Sequence, residues 1–180
     1  MLFRSEAVYS LQEWWGPFDI DLFASRLNFK VPQYVSWRPD PGAQFINAFF
    51  MDWKPYYFYA FPPFSVIAIC LQKIEQDQST GLLIAPLWTT QPWFTLLLNL
   101  LIDHPLVHPQ SDTLLVQPHS NAVHPLSEQL QLIACKVSGN PSASGLFQAK
   151  LPTSSCSLGP LVPKHNMPLV SRSEIGRAHV

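Results

Sequence analysis

Four consecutive residues, Phe61-Pro62-Pro63-Phe64, are the first candidates for chemistry in this sequence. They follow a β-prone segment, 56–61, and precede a helical pattern. We therefore predict that they lie at the carboxyl end of a strand, where open α/β sheets bind ligands. The two prolines fix the backbone, and Pro63 has no amide hydrogen beside the carbonyl group of Pro62. The ring of Phe64 offers a face on which a planar base can stack. The alternative is an ordinary strand-to-helix turn with phenylalanines in the core.

The elements that must position this motif follow from the hydrophobic pattern. Short apolar and β-prone segments predict strands over 19–23, 56–61, 82–85 and 130–137. Helical spacing predicts one helix over 5–15, one that begins at Pro63 with Phe64, Ile67, Leu71 and Ile74 on one face, and one over 93–102. Helices and strands alternate, so the sequence predicts an α/β fold, a small sheet with helices packed on it.

Length and composition limit the number of domains and the ways in which the chain can bind nucleic acid. The chain has 180 residues, of which 47% are hydrophobic, enough for one domain with a real core. Its 11 Lys and Arg against 12 Asp and Glu argue against a free-standing protein that binds phosphate backbones by charge. A domain that receives nucleic acid from a basic neighbour stays open. The cysteines lie far apart, which argues against a disulfide scaffold and predicts an intracellular location, cytoplasmic or nuclear.

The sequence gives only weak signs of a membrane span and of a metal site. Residues 78–102 carry no charge, but prolines and polar residues interrupt them, and we predict a strand and a helix rather than a membrane span. His104 and His108 are four residues apart, as metal ligands on a helix would be. Pro105 and Pro109 argue against that helix, so we predict surface histidines and no metal site.

The two ends of the chain differ from its middle. We expect an ordered domain over 4–137, followed by a disordered Ser/Pro/Gly-rich linker over 138–174. Residues 175–180 resemble a translated sequencing adapter, so they are excluded from the fold prediction. The sequence therefore predicts a fragment of a longer polypeptide.

An ordered series of short motifs resembles a known family. The series is similar to phage-type adenine DNA methyltransferases of the Dam class. In these, an Asp-x-x-Ala-Ser…Asn segment precedes an Asp-Trp pair, an Asn- or Asp-Pro-Pro-aromatic motif and an apolar strand. It more closely resembles the Dam-like region that follows reverse transcriptase and ribonuclease H in DIRS-type and Ngaro-type tyrosine-recombinase retrotransposons. The resemblance covers about residues 5–140. It is carried by Asp19-Ile20-Asp21-Leu22-Phe23-Ala24-Ser25-Arg26-Leu27-Asn28, Ser36-Trp37-Arg38-Pro39-Asp40-Pro41, Asp52-Trp53, Phe61-Pro62-Pro63-Phe64, Lys73 and Ala85-Pro86-Leu87-Trp88-Thr89-Thr90-Gln91-Pro92-Trp93-Phe94.

The resemblance implies a Rossmann-like methyltransferase-type sheet, here incomplete. It also implies transfer of a methyl group from S-adenosylmethionine to the exocyclic amine of a flipped adenine. In that family the first motif residue and the carbonyl group of the following proline accept the two hydrogen bonds of the amine, and the aromatic ring stacks on the base. This chain has Phe61 at the first position, which offers no acceptor, while Pro62, Pro63 and Phe64 keep the shape. We expect a degenerate catalytic motif, because an unpaired amine in a dry pocket costs about 1–3 kcal/mol.

Five further residues match the cofactor side of the family, and the resemblance implies that they contact S-adenosylmethionine. They are Asp21, at a strand end, with Ala24, Ser25, Asn28 and Asp52. The Gly-rich loop of many methyltransferases is missing here. The alternatives are a solvated strand edge for Asp21 and a turn-capping acid for Asp52.

Three hypotheses for the function follow. The first is a fragment of a retrotransposon polyprotein with a degenerate, inactive adenine DNA methyltransferase-like domain that helps to handle DNA or an RNA–DNA hybrid. Its partners would be the adjacent reverse transcriptase, ribonuclease H and tyrosine recombinase domains. The second is an active S-adenosylmethionine-dependent DNA adenine methyltransferase, and the third is a non-catalytic interaction module. A cleft at the ends of the strands through Leu22 and Phe61 would count against the third.

Overall fold

The computed structural model describes residues 2–3, 5–108, 115–116, 130–152 and 170–171. The strands are β1 (Leu2–Phe3), β2 (Ile20–Ala24), β3 (Tyr34–Ser36), β4 (Phe45–Ile46), β5 (Tyr57–Ala60), β6 (Thr80–Pro86), β7 (Leu106–His108), β8 (Leu115–Val116), β9 (Leu132–Ser138) and β10 (Val170–Ser171). The helices are α1 (Ser5–Trp15), α2 (Ile67–Asp77), α3 (Trp93–Asn99) and α4 (Pro141–Gln148), with short 3₁₀ helices at Ala48–Phe50 and Phe64–Val66. None of the helices in these ranges combines the length and the apolar character that a bilayer crossing requires.

One mixed sheet organises the fold. Its spatial order is β10-β7-β9-β6-β5-β2-β3-β4, and β1 pairs with β8 apart from it. Strands β2 to β6 are parallel, whereas β9 runs antiparallel to both of its neighbours, β6 and β7. The α/β prediction is therefore confirmed. The sheet has more strands than the four that the sequence predicts. The additional strands have only two or three residues each, too few to show a periodic pattern, and they are β3, β4, β7 and β10.

Helices cover both faces of the sheet, and each face has its own core. α2 and α3 pack on one face, where Ile67, Leu71 and Ile74 are fully buried. These residues belong to the apolar stripe that the helical spacing predicts, and the first member of that stripe, Phe64, lies in the 3₁₀ helix before α2. α1 packs on the opposite face through residues such as Leu11. The result is a helix–sheet–helix sandwich that leaves the ends of the strands accessible.

Trp53 attaches the loop before β5 to two other parts of the fold. Its side chain is fully buried, its indole Nε1 donates to the carbonyl oxygen of Ala48 at 2.7 Å, and its backbone N–H donates to Asp77 Oδ2 at 2.9 Å. Lys73 reinforces the attachment, since its Nζ lies 2.8 Å from Asp77 Oδ2 and 5.7 Å from the centre of the Trp53 ring. The loop that leads into β5 is thereby held against α2.

The Ser/Pro/Gly-rich stretch does not begin as the linker that we expected. β9 continues to Ser138, and Asn140 then caps α4 through its side-chain oxygen. Phe147 of α4 packs against the core of the α2 face, so this helix belongs to the domain. Most of the predicted linker, with the disordered tail and the adapter-like end, falls at 153–169 and 172–180, outside the described residues.

Gly139 and Gly145 provide a matched test of this packing. A Cβ added at Gly139 would overlap the backbone carbonyl of Ile74 in α2, whereas a Cβ at Gly145, inside α4, meets no atom within 4 Å. We predict that Gly139→Ala lowers the free energy of unfolding by about 2–3 kcal/mol. Gly145→Ala should raise it by about 0.5–1 kcal/mol through helix propensity. Urea unfolding measures both, and equal effects would contradict the close approach of the β9–α4 turn to α2.

Candidate functional site

Two cavities open side by side at the carboxyl ends of β2 and β5. The first, which we call the corner cavity, has a volume of about 300 Å³ and is lined by Phe23, Asn28, Phe61, Pro62, Pro63 and Phe64. The second, which we call the side cavity, has a volume of about 290 Å³ and is lined by Leu22, Phe23, Ala24, Trp37, Ala48, Phe49, Pro63, Ser65 and Val66. Phe23 and Pro63 line both cavities, so they form the wall between them.

The double proline ends β5 and shapes the corner cavity. β5 stops at Ala60, and Pro63 adopts φ −52° and ψ 137°, from which its carbonyl oxygen accepts a hydrogen bond from Val66 N–H at 3.0 Å. Neither proline has an amide hydrogen, so the hydrogen-bond ladder with β6 cannot continue through them. No hydrogen bond from the described residues ends on the carbonyl oxygen of Pro62. Pro62 is buried, and it is one of the residues that line the corner cavity.

An aromatic wall extends from the corner cavity to the loop after β6. The ring centres of Phe61 and Phe64 lie 6.2 Å apart, and those of Phe64 and Trp88 lie 5.2 Å apart, with interplanar angles of 62° and 75°. These are edge-to-face contacts, in which each ring holds its neighbour in place. The sequence does not reveal the contact between Phe64 and Trp88, because the two residues belong to different strand-to-helix connections.

The turn after β2 provides Asn28, which alone among the described residues lining the corner cavity has a polar side chain. Asn28 Oδ1 accepts hydrogen bonds from the backbone N–H of Ser25 at 2.6 Å and from the Ser25 hydroxyl at 2.8 Å. The backbone N–H of Asn28 donates back to the Ser25 carbonyl oxygen at 3.0 Å, which closes the turn. Ala24 lines the side cavity, and Ser25 lines neither cavity. Of the expected cofactor contacts, Ala24 and Asn28 therefore lie at the site, although in different cavities.

Asp21 is buried beneath this turn and lines neither cavity. It is 2% exposed and is the second of five residues in β2, so neither the expected strand-end position nor the alternative of a solvated edge is correct. Its Oδ2 accepts a hydrogen bond from Lys30 N–H at 3.0 Å, and its Oδ1 accepts one from Phe23 N–H at 3.3 Å. These bonds anchor the chain on both sides of the turn. Burial raises the pKa of Asp21 to about 6, against the opposing effect of the two hydrogen bonds and the Lys30 charge.

Asp52 lies away from both cavities. It is exposed in the loop before β5, at the amino end of that strand, whereas the cavities lie at the carboxyl end. Its Oδ1 accepts a hydrogen bond from Lys54 N–H at 2.9 Å, which is the turn-capping role of the alternative interpretation. The geometry gives Asp52 a structural role in this loop.

The side cavity is apolar, which limits what it can hold. Its lining includes the aromatic rings of Trp37 and Phe49 and the small side chain of Ala24. S-adenosylmethionine carries a sulfonium cation, ribose hydroxyls and an amino-acid tail, and none of the described side chains that line this cavity is charged. The lining therefore does not fit the complete cofactor. In the part of the chain that the structure describes, no group of three His, Cys, Asp or Glu residues is placed to hold a metal ion.

Comparison with known proteins identifies no family for this chain. No protein-family model matches the chain, and no curated protein is significantly similar to it. The resemblance to Dam-like domains therefore depends on the motif residues themselves. The function must be inferred from the two cavities and from the sheet that positions them.

Because Asp21 is buried, we expect its contribution to the stability of the domain to fall as the pH rises. Its folded-state pKa of about 6 lies above the ordinary value of 3.8, so between these pH values the folded state keeps a proton that the unfolded state has lost. The contribution is greatest below pH 3.8 and is lost through pH 6. We predict that the unfolding free energy of the wild type, minus that of Asp21→Asn, falls by about 2–3 kcal/mol between pH 4 and pH 7. Urea unfolding at both pH values measures this, and a difference independent of pH would contradict the prediction.

Proposed function

We propose that this chain is a fragment of a retrotransposon polyprotein whose Dam-like domain holds an unpaired nucleobase in the corner cavity without methylating it. The observation that carries the proposal is the corner cavity itself. The double proline and Phe64 shape a slot at the carboxyl end of β5, and Phe61 stands where an amine acceptor is required. The side cavity lies directly across Phe23 and Pro63, as the second site of a group-transfer enzyme would.

The topology of the sheet supports a methyltransferase ancestry. When β2 to β7 and then β9 are counted along the chain, leaving out β8 and the two-residue edge strand β10 beyond β7, their spatial order is 3-2-1-4-5-7-6, with strand 7 antiparallel. Apart from the reversed strand between strands 5 and 6, this is the order 3-2-1-4-5-6 of Rossmann-like sheets, the type of sheet that the sequence resemblance implies. The double proline follows the fourth of these strands, β5, and precedes the apolar strand β6, as the motif order of the resemblance implies. The fold supports an ancestry, and the function depends on the site.

Two features of the site argue against methyl transfer. An exocyclic amine has two N–H groups, and the Phe61 side chain has no acceptor for either of them. The motif then relies on the backbone carbonyl oxygen of Pro62, on which no hydrogen bond from the described residues ends. An unpaired N–H in the cavity costs about 1–3 kcal/mol and leaves the nitrogen lone pair conjugated with the ring. The side cavity has no charged side chain for a sulfonium donor. Both halves of the reaction are therefore weakened.

The charge of the chain supports a domain that works beside others. A formal charge of −1 leaves no surplus of Lys and Arg for the phosphate backbone. Affinity for nucleic acid must then come from base stacking and from basic neighbouring domains. In the elements that the sequence resembles, these neighbours are reverse transcriptase and ribonuclease H upstream and a tyrosine recombinase downstream. Motifs of these enzymes in the flanking coding sequence would support this origin, and unrelated flanks would contradict it.

The other two hypotheses use the same edge of the sheet differently. An active methyltransferase would use both cavities and differs from our proposal in turnover. An interaction module needs no cleft, and the cavities beside Leu22 and Phe61 favour an enzyme-derived domain over it. The observation in favour of an interaction module is the exposure of apolar rings at this edge, 66% for Trp37 and 87% for Phe50.

Phe64→Ala should weaken the binding of single-stranded DNA by about tenfold or more, because stacking of a base on an aromatic ring contributes roughly 1–3 kcal/mol. Phe50→Ala is the matched control, since it removes the same ring from the same edge at an exposed residue that lines neither cavity. Fluorescence anisotropy with a labelled oligonucleotide at fixed, low salt gives both dissociation constants. Equal losses in the two variants would contradict a specific role for the corner cavity.

We expect the wild-type chain to transfer no methyl group from S-adenosylmethionine to adenine. The measurement is incorporation of radiolabelled methyl groups into adenine-containing DNA, both single- and double-stranded. Phe61→Asn restores the missing amine acceptor, and incorporation by this variant alone would show that the side cavity still accepts the methyl donor. Robust transfer by the wild type would contradict the proposal and favour the active enzyme.

A further inference from the structure

A base in the corner cavity leaves the side cavity next to it unused. The lining of the side cavity includes the rings of Phe23, Trp37 and Phe49, and none of the described side chains that line it is charged. Its volume, about 290 Å³, is close to that of the corner cavity, about 300 Å³. An uncharged aromatic lining favours an uncharged planar group, and every nucleobase offers a flat face for stacking.

Trp37 is exposed although the loop that carries it is fixed by hydrogen bonds. Its side chain lines the side cavity and is 66% exposed. On one side of it, the carbonyl oxygen of Ser36 accepts a hydrogen bond from Asn47 N–H at 2.7 Å. On the other side, Asp40 Oδ2 accepts one from Arg26 N–H at 2.8 Å, which connects this loop to the turn after β2. The indole ring is therefore accessible to a ligand at a fixed place in the fold.

The loops at this edge of the sheet carry a local excess of positive charge. The segments that connect β2, β3, β5 and β6 to the elements that follow them contain three basic residues, Arg26, Lys30 and Arg38, and one acidic residue, Asp40. Both oxygens of Asp40 accept backbone hydrogen bonds, from Arg26 and Gly42. Arg38, next to Trp37, is exposed and makes no ion pair with another described residue. This edge can therefore attract phosphate groups although the whole chain has a formal charge of −1.

The wall between the two cavities consists of residue types that can separate two bases. It is formed by Phe23 and Pro63, which line both cavities. The ring centre of Phe23 lies 5.8 Å from that of Phe49 and 6.3 Å from that of the buried Trp53, both edge-to-face, so the ring is held in place. Phe and Pro are among the apolar side chains that proteins insert between successive bases of a strand.

We propose that the side cavity receives the base next to the one in the corner cavity, so that the site binds two consecutive bases of a single strand. Phe23 and Pro63 keep the two bases apart, and Trp37 stacks on the second base. Arg38 contacts a phosphate group of the same strand. Stacking on a ring does not discriminate between bases, so the second base can be of any type. The inference rests on the proposed base-binding function of the corner cavity.

Three single-stranded oligonucleotides of equal length test the proposal. All their bases are replaced by abasic spacers except one thymine in the first, two adjacent thymines in the second and two thymines at opposite ends in the third. Fluorescence anisotropy at one fixed salt concentration gives the dissociation constants, and phosphate contacts cancel because the probes have the same number of phosphates. We expect the adjacent pair to bind about tenfold more tightly than the single base. The separated pair should gain far less, because the effective concentration of its second base falls with spacer length.

Trp37→Ala should remove most of this gain, because it deletes the ring on which the second base stacks. The side chain is exposed, so its loss leaves the core intact. Phe50→Ala is the matched control, since it removes another exposed ring from the same edge at a residue that lines neither cavity. This variant should keep the tenfold ratio between the adjacent pair and the single base.

Arg38→Gln tests the phosphate contact. It should lower the slope of the logarithm of the binding constant against the logarithm of the salt concentration by about 0.7, the value for one phosphate contact with a single strand. Lys54→Gln removes the same charge from an exposed residue in the loop before β5, at the opposite edge, and should leave the slope unchanged. Equal slopes for the wild type and Arg38→Gln would contradict the contact.

The outcomes separate this inference from the function on which it depends. A gain from the adjacent base that Trp37→Ala removes and Phe50→Ala keeps would establish it. Binding of the single base that Phe64→Ala weakens, without a gain from the adjacent base, would overturn the inference and leave the corner cavity in place. That is the result expected if Trp37 serves a protein partner instead. No binding of any probe, or binding that Phe64→Ala does not weaken, would overturn both.

Discussion

The parallel pairing of β2 with β5 is the constraint on which the site depends. Its register sets Ile20 beside Phe58 and Asp21 beside Tyr59, so the two strands leave the sheet side by side. The chain that follows β2 turns at Ser25–Asn28, and the chain that follows β5 leaves the sheet at the double proline. The cavities occupy the space between these exits. A shift of one residue in the register would send the buried side chains to the wrong faces and would remove the wall that the cavities share.

The residues around this edge of the sheet hold the site in position even where this lowers the stability of the fold. Asp21 is buried and carries a pKa of about 6, yet its carboxylate holds both sides of the turn that presents Asn28. Such a residue is expected where a site must be positioned, because an apolar residue would be more stable but could not bond the turn. Trp53 holds the opposite end of β5 through hydrogen bonds to Ala48 and Asp77. Ala48 also lines the side cavity, so the same contact connects the core to the site.

Elements with long hydrophobic patterns could be predicted from the sequence, and elements of two or three residues could not. The stripe through Ile67, Leu71 and Ile74 predicts α2, and long apolar runs predict β6 and β9, because many residues repeat the same period. The strands β3, β4 and β7 have too few residues to show a period. α4 lies in a stretch whose composition suggests a linker, although Asn140 before Pro141 is a helix-start pattern that the composition obscures.

The site was predictable in outline but not in detail. The double proline between a strand and a helix indicates a ligand site at the strand end, and both cavities lie there. Asp21 gives no sequence sign of burial, since alternation along β2 does not show that both faces of this strand are covered. The side cavity brings together Leu22, Trp37 and Val66 from separate segments, a property of three-dimensional geometry that residue type alone does not contain.

Ultraviolet cross-linking tests the central claim, that the double-proline corner holds an unpaired base. A single-stranded oligonucleotide with one 5-iodouracil is irradiated with the wild-type chain, and the modified residue is mapped by mass spectrometry. The account predicts cross-links to the aromatic residues of the corner, Phe61, Phe64 or Trp88, and their loss when unlabelled oligodeoxyuridine competes. Cross-links confined to other surfaces, such as the exposed Phe50, would contradict it.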